Sequence, residues 1–440
     1  PQGSPQRPVL GRPHPLLSSD LNQVVGPCGR PTSTEADTDF DKQKSYIFFL
    51  VISDPDDANA IMNTCLDKNH LYKFVNSWLG NGLLTAEVPE WKKNRKFINQ
   101  AFTHKALVGY MGAFNHQAKA LLRTFDTQIG QSFDPEHFIL KNNLETICQT
   151  ALGVDPVTHG QVLVNYTQAL RTVFNTVLER FQKFWLHINL TYSVSNLKKR
   201  HNLAKSVDFM KLVFTDHFRP IVDIFLESAI KENLFTDEKI REEIDTIIFG
   251  GHDTSSITLT FALLLIGSHQ DVQEKAYKEV LEVMGDSARD FDNIDLSKLV
   301  YIDSILKETL RLYPIAPVTG RSAKNDVKLN NYTIPAGSTL GICVWAIHRH
   351  SIWGLDADVF RPERWLDPEA VARFSKAFYG FSLGRRNCIG KTYAMMSMKI
   401  TIAHIVRRYK ITADISKVKI KYSVLLRPVS GNEINIQLRK

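Results

Sequence analysis

The chain has 440 residues and a mass of 50.0 kDa, with 54 basic against 46 acidic side chains and a net charge of +8. Hydrophobic residues at 43% can build a substantial core, and charged residues at 23% fit a globular body. The mild basic excess suits an acidic partner or a membrane surface, and the lack of a basic tract with interleaved aromatics argues against a nucleic-acid binder.

Residues 1–44 are rich in Pro, Gly, Ser and Thr and read as an irregular segment, whereas 45–440 contains nothing like an interdomain linker and reads as one domain. YIFFLVI at 46–52 is strand-like, and Ser53 and Asp54 mark a turn and helix start. In WKKNRKF, Trp91 and Arg95 lie four apart on one helical face. Helical periodicity then dominates; in VQEKAYKEVLEVM, Val272, Ala276, Val280 and Met284 form one face. Residues 326–345 turn to short strands, broken at Asn330-Asn331 and Pro335-Ala336-Gly337, and VLLRPVSGNEINIQL closes the chain as more strand. The fold class is mainly α with a small β portion.

The cysteines Cys28, Cys65, Cys148, Cys343 and Cys388 are odd in number, widely spaced and without a CxxC pair. This fits a reducing compartment rather than a disulfide framework or zinc site. No apolar run approaches the roughly 20 residues that span a bilayer. The chain begins at Pro1, so a leader or anchor upstream is an open expectation.

Four constellations carry chemistry. FSLGRRNCIG at 381–390 sets Cys388 among arginines and glycines, just before an amphipathic helix. Neighbouring cations and a helix start favour the thiolate, the form that binds metals. Gly384 and Gly390 would let backbone approach a flat, bulky group, and Arg386 could answer an anionic substituent on it. In KETLRLYP, Glu308 and Arg311 share a helix face, and Arg364 of FRPERW supplies a third charge for a buried network. REEIDTIIFGGHDTSSITLTFALLLIG reads as a long, largely buried helix with Thr236 as N-cap. Its central Gly250 and Gly251 each cost roughly 1 kcal/mol against alanine, and a buried Asp253 needs a partner. Thr254 either bonds back to a carbonyl or serves a ligand.

The spacing F-x-x-G-x-R-x-C-x-G resembles the haem-binding loop of the cytochromes P450, through Phe381, Gly384, Arg386, Cys388 and Gly390. The resemblance spans 45–440 and implies the P450 fold, with a long central helix over the haem and the cysteine loop below. It implies Cys388 as the axial iron ligand. It makes Gly250 and Gly251 an opening over the cofactor, with Asp253 and Thr254 handling protons beside dioxygen. Trp91, Arg95 and Arg321 fall where the family answers haem propionates, and Glu308, Arg311 and Arg364 where it holds the haem-side core. Thr246, Phe249, Ile315, Ala316, Val318, Pro428 and Val429 are the expected substrate lining.

LYKFVNSWLGNGLLT, EEIDTIIFGGHDTSS and RRNCIGKTYA look like the animal group of fatty-acid ω-hydroxylases and related insect enzymes. Members of that group that bond haem covalently do so through a glutamate at the position of Gly250, so haem b is expected to bind here without an ester. Ser397 replaces a common acidic residue, the stretch 199–220 is short for the group, and the first 40 residues do not resemble its start. The implied activity is a monooxygenase inserting one oxygen atom from O2 into a hydrophobic fatty acid, hormone-like lipid or xenobiotic. No GxGxxG or flavin motif follows a strand. Electrons are therefore expected from outside the chain, and the resemblance implies NADPH-cytochrome P450 reductase as their source, with cytochrome b5 as a second donor, docking on a basic face of Lys92, Lys93, Arg385, Lys391, Arg407 and Arg408. The endoplasmic reticulum membrane, on its cytosolic face, and a functional monomer are also implied. Alternatives are a haem-binding protein or sensor without turnover, an inactive partial sequence, and a peroxide-rearranging P450, whose members commonly lose the threonine.

Overall fold

The computed structural model describes residues 49–153, 182–205, 220–223 and 236–439, with 168, 169, 172, 173, 175–177, 179, 180 and 227 between them. The expectations for residues 1–44 and for most of 199–220 fall outside these. Strand β1 (Phe49–Ile52) leads into helix α1 (Pro55–Thr64). Asp54 caps α1, accepting from the backbone N–H groups of Asp56 and Asp57, and Pro55 occupies a first-turn position whose N–H would have no helical partner. Helices α2 (Lys73–Leu79), α3 (Val88–Ala101) and α4 (Met111–Asp126) follow. After the short β2 (Ser132–Phe133), α5 (Glu136–Leu152) ends on Gly153, which takes a left-handed φ of 70°.

The central helix α6 (Asp237–Ser268) is capped by Thr236, whose hydroxyl accepts from the Lys239 N–H. At 1.5 Å per residue it is roughly 48 Å long, enough to cross the whole domain. Its C-terminal half, Ile257 through Ile266, is buried throughout, and α4, α5, α7 (Gln270–Met284), α8 (Val300–Leu312) and α9 (Lys391–Arg408) pack a single large core around it. Val272, Ala276, Val280 and Met284 are the buried face of α7, as their spacing predicts.

Four small sheets complete the described residues. In the first, β6 (Thr339–Cys343) lies parallel to β1 and antiparallel to β3 (Val318–Ser322). The strands β4 (Val327–Lys328) and β5 (Thr333–Ile334) form a separate pair turned at Asn330-Asn331, and Pro335-Ala336-Gly337 turns the chain from β5 into β6. β7 (Tyr409–Thr412) joins β2 through β10 (Ile434–Leu438), and β8 (Lys419–Ser423) pairs with β9 (Leu425–Ser430) as a hairpin. A second core packs α1 against the first sheet. No helix among the described residues is long and apolar enough to cross a membrane.

Candidate active site

One cavity of about 460 Å³ lies between α6 and the loop that precedes α9. Its lining is mostly apolar. Thr246, Phe249, Gly250, Gly251 and Thr254 form the α6 wall, and Phe381, Arg386, Cys388 and Gly390 the loop wall. Ile315, Ala316 and Val318 close one side, where the chain leaves α8 through Pro314. Trp91 and Arg95 reach the cavity from α3.

The cysteine loop is built by backbone hydrogen bonds. The Cys388 N–H donates to the Phe381 carbonyl at 2.9 Å, and the Asn387 N–H to the Gly384 carbonyl at 3.2 Å. Gly384 has a φ of 72°, and a Cβ there would meet the Met62 carbonyl oxygen at 2.5 Å. Its missing side chain therefore serves packing against the end of α1, not the cavity, which corrects the expectation that it makes room for haem. Around Gly390 a Cβ would make only ordinary contacts, with Phe102 at 3.8 Å and Cys388 Sγ at 4.0 Å. Cys388 is exposed on the cavity wall, and the protein enclosing that cavity pushes its thiol above the ordinary range, against the opposing pull of the Gly390 N–H, Arg95 and Lys391.

Behind the loop sits the charge network. Arg311 donates to Glu308 through Nε at 2.9 Å and Nη2 at 2.8 Å, and Arg364 Nε donates to the same carboxylate at 2.9 Å. Trp365 Nε1 and the Arg361 N–H add two more bonds to Glu308. Arg311 also donates to the His348 carbonyl, and the His348 ring accepts from the Tyr379 N–H at 2.8 Å. Tyr379 stands two residues before Phe381, so the buried network fixes where the cysteine loop begins.

Unpaired cations mark one end of the cavity. Arg386 is buried beside Trp91, its guanidinium 4.7 Å from the ring, and donates through Nη2 to the Ala86 carbonyl at 2.6 Å. Its Nε and Nη1 have no protein partner. Arg321 is fully buried behind the lining, and its Nε and Nη2 are likewise unsatisfied. Orphaned buried donors on two cations are costly unless an anion answers them. Lys68 and Tyr72 line the same end, 4.4 Å apart from amine to ring centroid. Burial, with Arg321 and Arg386 nearby, drops Lys68 to about 8. Burial alone would raise Tyr72, but Lys68 and Arg321 bring it down to about 7. Nothing in the sequence separates Lys68 from a surface lysine, and both residues were missed.

Several placements differ from expectation. Asp253 is buried but does not line the cavity; its carboxylate is ion-paired with Arg427. Pro428 and Val429 do not line it either, and Val429 is exposed. The hairpin instead contributes Tyr422, Val424 and Leu425, because it meets the cavity at its turn, and Pro428 and Val429 lie further along β9. Arg95 is committed to Asn387, with bonds of 2.7 and 3.0 Å, so its main work is on the protein. Thr254 Oγ1 donates to the Gly250 carbonyl at 2.6 Å, the back-bonding reading, and the residue also lines the cavity. Gly250 would have open space for a Cβ, whereas at Gly251 one would meet Ile147 Cδ1 at 2.8 Å. Gly250 thus opens the cavity and Gly251 admits α5. Of the expected basic face, Lys92, Lys93, Arg385 and Lys391 are exposed on α3, the loop and the start of α9. Arg407 and Arg408 are engaged elsewhere, with the Gly285 carbonyl and Asp126.

The cytochrome P450 family profile matches residues 47–436, nearly the whole described chain. The chain belongs to the cytochrome P450 family. Cytochrome P450 4V2 of Mus musculus is 30% identical over 403 residues, which cover 85% of this chain and 77% of that protein. Cytochrome P450 4c21 of Blattella germanica is 28% identical over 473 aligned positions, covering 99% and 93%. Cytochrome P450 4d10 of Drosophila mettleri is 29% identical over 432, covering 92% and 84%. The chain is therefore a haem monooxygenase, an oxidoreductase of the P450 4 type. The cavity fits that cofactor. A thiol stands on one wall, the lining is mostly apolar, and the unsatisfied donors of Arg386 at one end, with those of Arg321 behind it, suit the two carboxylates of a porphyrin.

Proposed function

We propose that this P450 hydroxylates a hydrophobic lipid or foreign compound (a fatty acid, a hormone-like lipid or a xenobiotic). The observation that carries the reading is the apolar cavity held between Cys388 and the Gly250–Thr254 stretch of α6. The catalytic unit is residues 45–440, acting as a monomer. When bound, haem b with a thiolate ligand supplies dioxygen cleavage: one oxygen atom enters a C–H bond, the other leaves as water, and two electrons and two protons are consumed.

The chain's own residues do the rest. Cys388 would ligate the iron through its deprotonated sulfur. Arg386 and Arg321 would answer the propionates with the donors that have no protein partner, assisted by Lys68 and by Trp91. Thr254, whose hydroxyl rests on the Gly250 carbonyl, would hold a proton at Oγ1 on the cavity wall, and Asp253 would resupply it once its carboxylate is free of Arg427 and protonated from solvent. Phe249, Ile315, Ala316, Val318 and Leu425 exclude water and orient the apolar substrate. Lys92, Lys93, Arg385 and Lys391, exposed on α3, the cysteine loop and the start of α9, would supply the charge that an acidic electron donor needs. NADPH-cytochrome P450 reductase, with cytochrome b5 as a second donor, at the cytosolic face of the endoplasmic reticulum membrane is the assignment that fits it.

The test is a reduced, carbon-monoxide-bound spectrum followed by NADPH consumption with reductase. A product screen over fatty acids, steroid-like lipids and aromatic xenobiotics completes it. A thiolate-type spectrum with product in one class supports the proposal. A thiolate spectrum without product in any class leaves a haem-binding protein.

A further inference from the structure

Asp253 is the one member of the expected acid–alcohol pair that does not face the reaction space. It is 2% exposed, and its carboxylate meets Arg427 Nη2. Arg427 Nη1 lies 3.4 Å from Glu136 Oε1, at the first residue of α5. Two carboxylates thus share one guanidinium. When Asp253 lets go, Arg427 keeps a counter-ion, so release does not strand a buried cation.

The position of Arg427 in the chain adds the second half. It belongs to β9, two residues after Leu425 and three after Val424, and both of these line the cavity with Tyr422. Val424 has a φ of 65°. A β-branched residue in the left-handed region is strained, and such strain persists only where the surroundings enforce it. Further along, the Leu426 N–H is pinned to the Ile315 carbonyl at 2.9 Å, beside another cavity residue. A ligand that presses on the hairpin tip therefore acts on a strained, poised turn one short segment from the arginine.

We propose that Arg427 is a latch holding Asp253 out of the cavity, and that the β8–β9 hairpin is the lever through which cavity occupancy opens it. Arg427 is then a positioning residue, acting through Asp253, and the proton supply is tied to a filled cavity. The inference rests on the proton role given to Asp253 above, so its test must not depend on turnover alone.

The test uses the haem-loaded protein and infrared difference spectroscopy of the carboxylic-acid C=O band, assigned by its loss in Asp253→Asn. Phenylimidazole serves as the cavity-filling probe. In the natural protein the band is expected to appear only when the probe is added. In Arg427→Gln it should be present with and without probe, and electron consumption from reductase without substrate should rise several-fold. Arg427→Lys should restore the probe dependence. Val424→Gly should keep the latch but lose the response to probe, and Glu136→Gln should weaken that response by removing the alternative partner. An Arg427→Gln spectrum identical to that of the natural protein overturns the latch. A full probe response in Val424→Gly overturns the lever. Fully coupled turnover in Asp253→Asn would instead overturn the proton role itself, whatever the band does.

Discussion

The Arg95 guanidinium is clamped on Asn387, donating from Nη1 to its carbonyl oxygen at 2.7 Å and from Nη2 to its Oδ1 at 3.0 Å. Nε is spent on Asn99 Oδ1 at 3.0 Å. Asn387 directly precedes Cys388, so α3 holds the cysteine loop by a planar fork that lysine cannot copy. Arg95→Leu should cost about 2 kcal/mol of loop stability. The reduced carbon-monoxide spectrum should then contain a larger share of the thiol-ligated form. Arg95→Lys should fall between. An unchanged spectrum in Arg95→Leu would show that the loop stands without this clamp.

The unpaired donors of Arg321 and Arg386 predict opposite effects with and without cofactor. A buried cation lacking a counter-ion destabilises the fold, so Arg321→Met should leave the haem-free protein equally or more heat-stable. With haem, the same change removes a charge-assisted partner and should speed haem transfer to an acceptor protein by tenfold or more, on the order of 1.5–3 kcal/mol. Arg386→Met should behave alike, with an added loss from its packing on Trp91. Thermal melts of both forms, beside haem-transfer rates, decide it. Destabilisation of equal size in both forms would contradict the propionate role.

His348 sets a pH limit on stability. Burial pushes its ring down to about 3, so the folded protein keeps it neutral, with the ring bonded to the Arg311 carbonyl and the Tyr379 N–H. The unfolded chain takes up that proton near the ordinary value of about 6.5. Between those values the unfolded state holds more protons, so stability is complete above about 6.5 and lost progressively as pH falls. His404, pushed down to about 4 by burial, acts in the same direction. Glu243 opposes them: burial raises its carboxyl to about 7, so its contribution improves as pH falls from 7. His70, also pushed down by burial, adds to the histidines, while the burial-raised carboxyls of Glu145 and Glu279 act with Glu243, so His348, with the largest downward shift of the histidines, is expected to set the fall in melting temperature between pH 6.5 and 5. His348→Asn should lower the melting temperature throughout and flatten that limb.

What was legible in the sequence is what local spacing encodes. Cys388, Arg386, Gly390 and Phe381 lie within ten residues, and the loop brings them to one wall of the cavity. Glu308 and Arg311 are one helical turn apart, and their bond to each other follows from that spacing. The long helix, its Thr236 cap and the buried face of α7 are likewise local. What escaped is held by contacts between distant segments. Arg95 and Asn387 are 292 residues apart, Asp253 and Arg427 174. The reason for Gly384 is a carbonyl at the end of α1, and Lys68 gains meaning only from arginines more than 250 positions away. The β8–β9 hairpin was placed near the pocket, but its turn was not, and it is the turn residues Tyr422, Val424 and Leu425 that meet the cavity.

The two adjacent glycines of α6 should respond differently to substitution. A side chain at Gly250 enters open space, so Gly250→Glu should fold normally and gain up to about 1 kcal/mol of helix propensity. It also restores the glutamate through which members of the related group bond haem covalently. The natural protein should release all its haem into acidified organic solvent, while Gly250→Glu should retain a fraction after turnover. At Gly251 the new Cβ meets Ile147 Cδ1 at 2.8 Å, the mobile end of a side chain that itself lines the cavity. Gly251→Ala should therefore gain little or no stability, because the propensity gain is offset by moving Ile147, and it should weaken ligand binding. Pairing it with Ile147→Val should recover the affinity. Equal behaviour of the two single variants in melts and ligand titrations would mean that α5 does not press on Gly251 as its geometry requires.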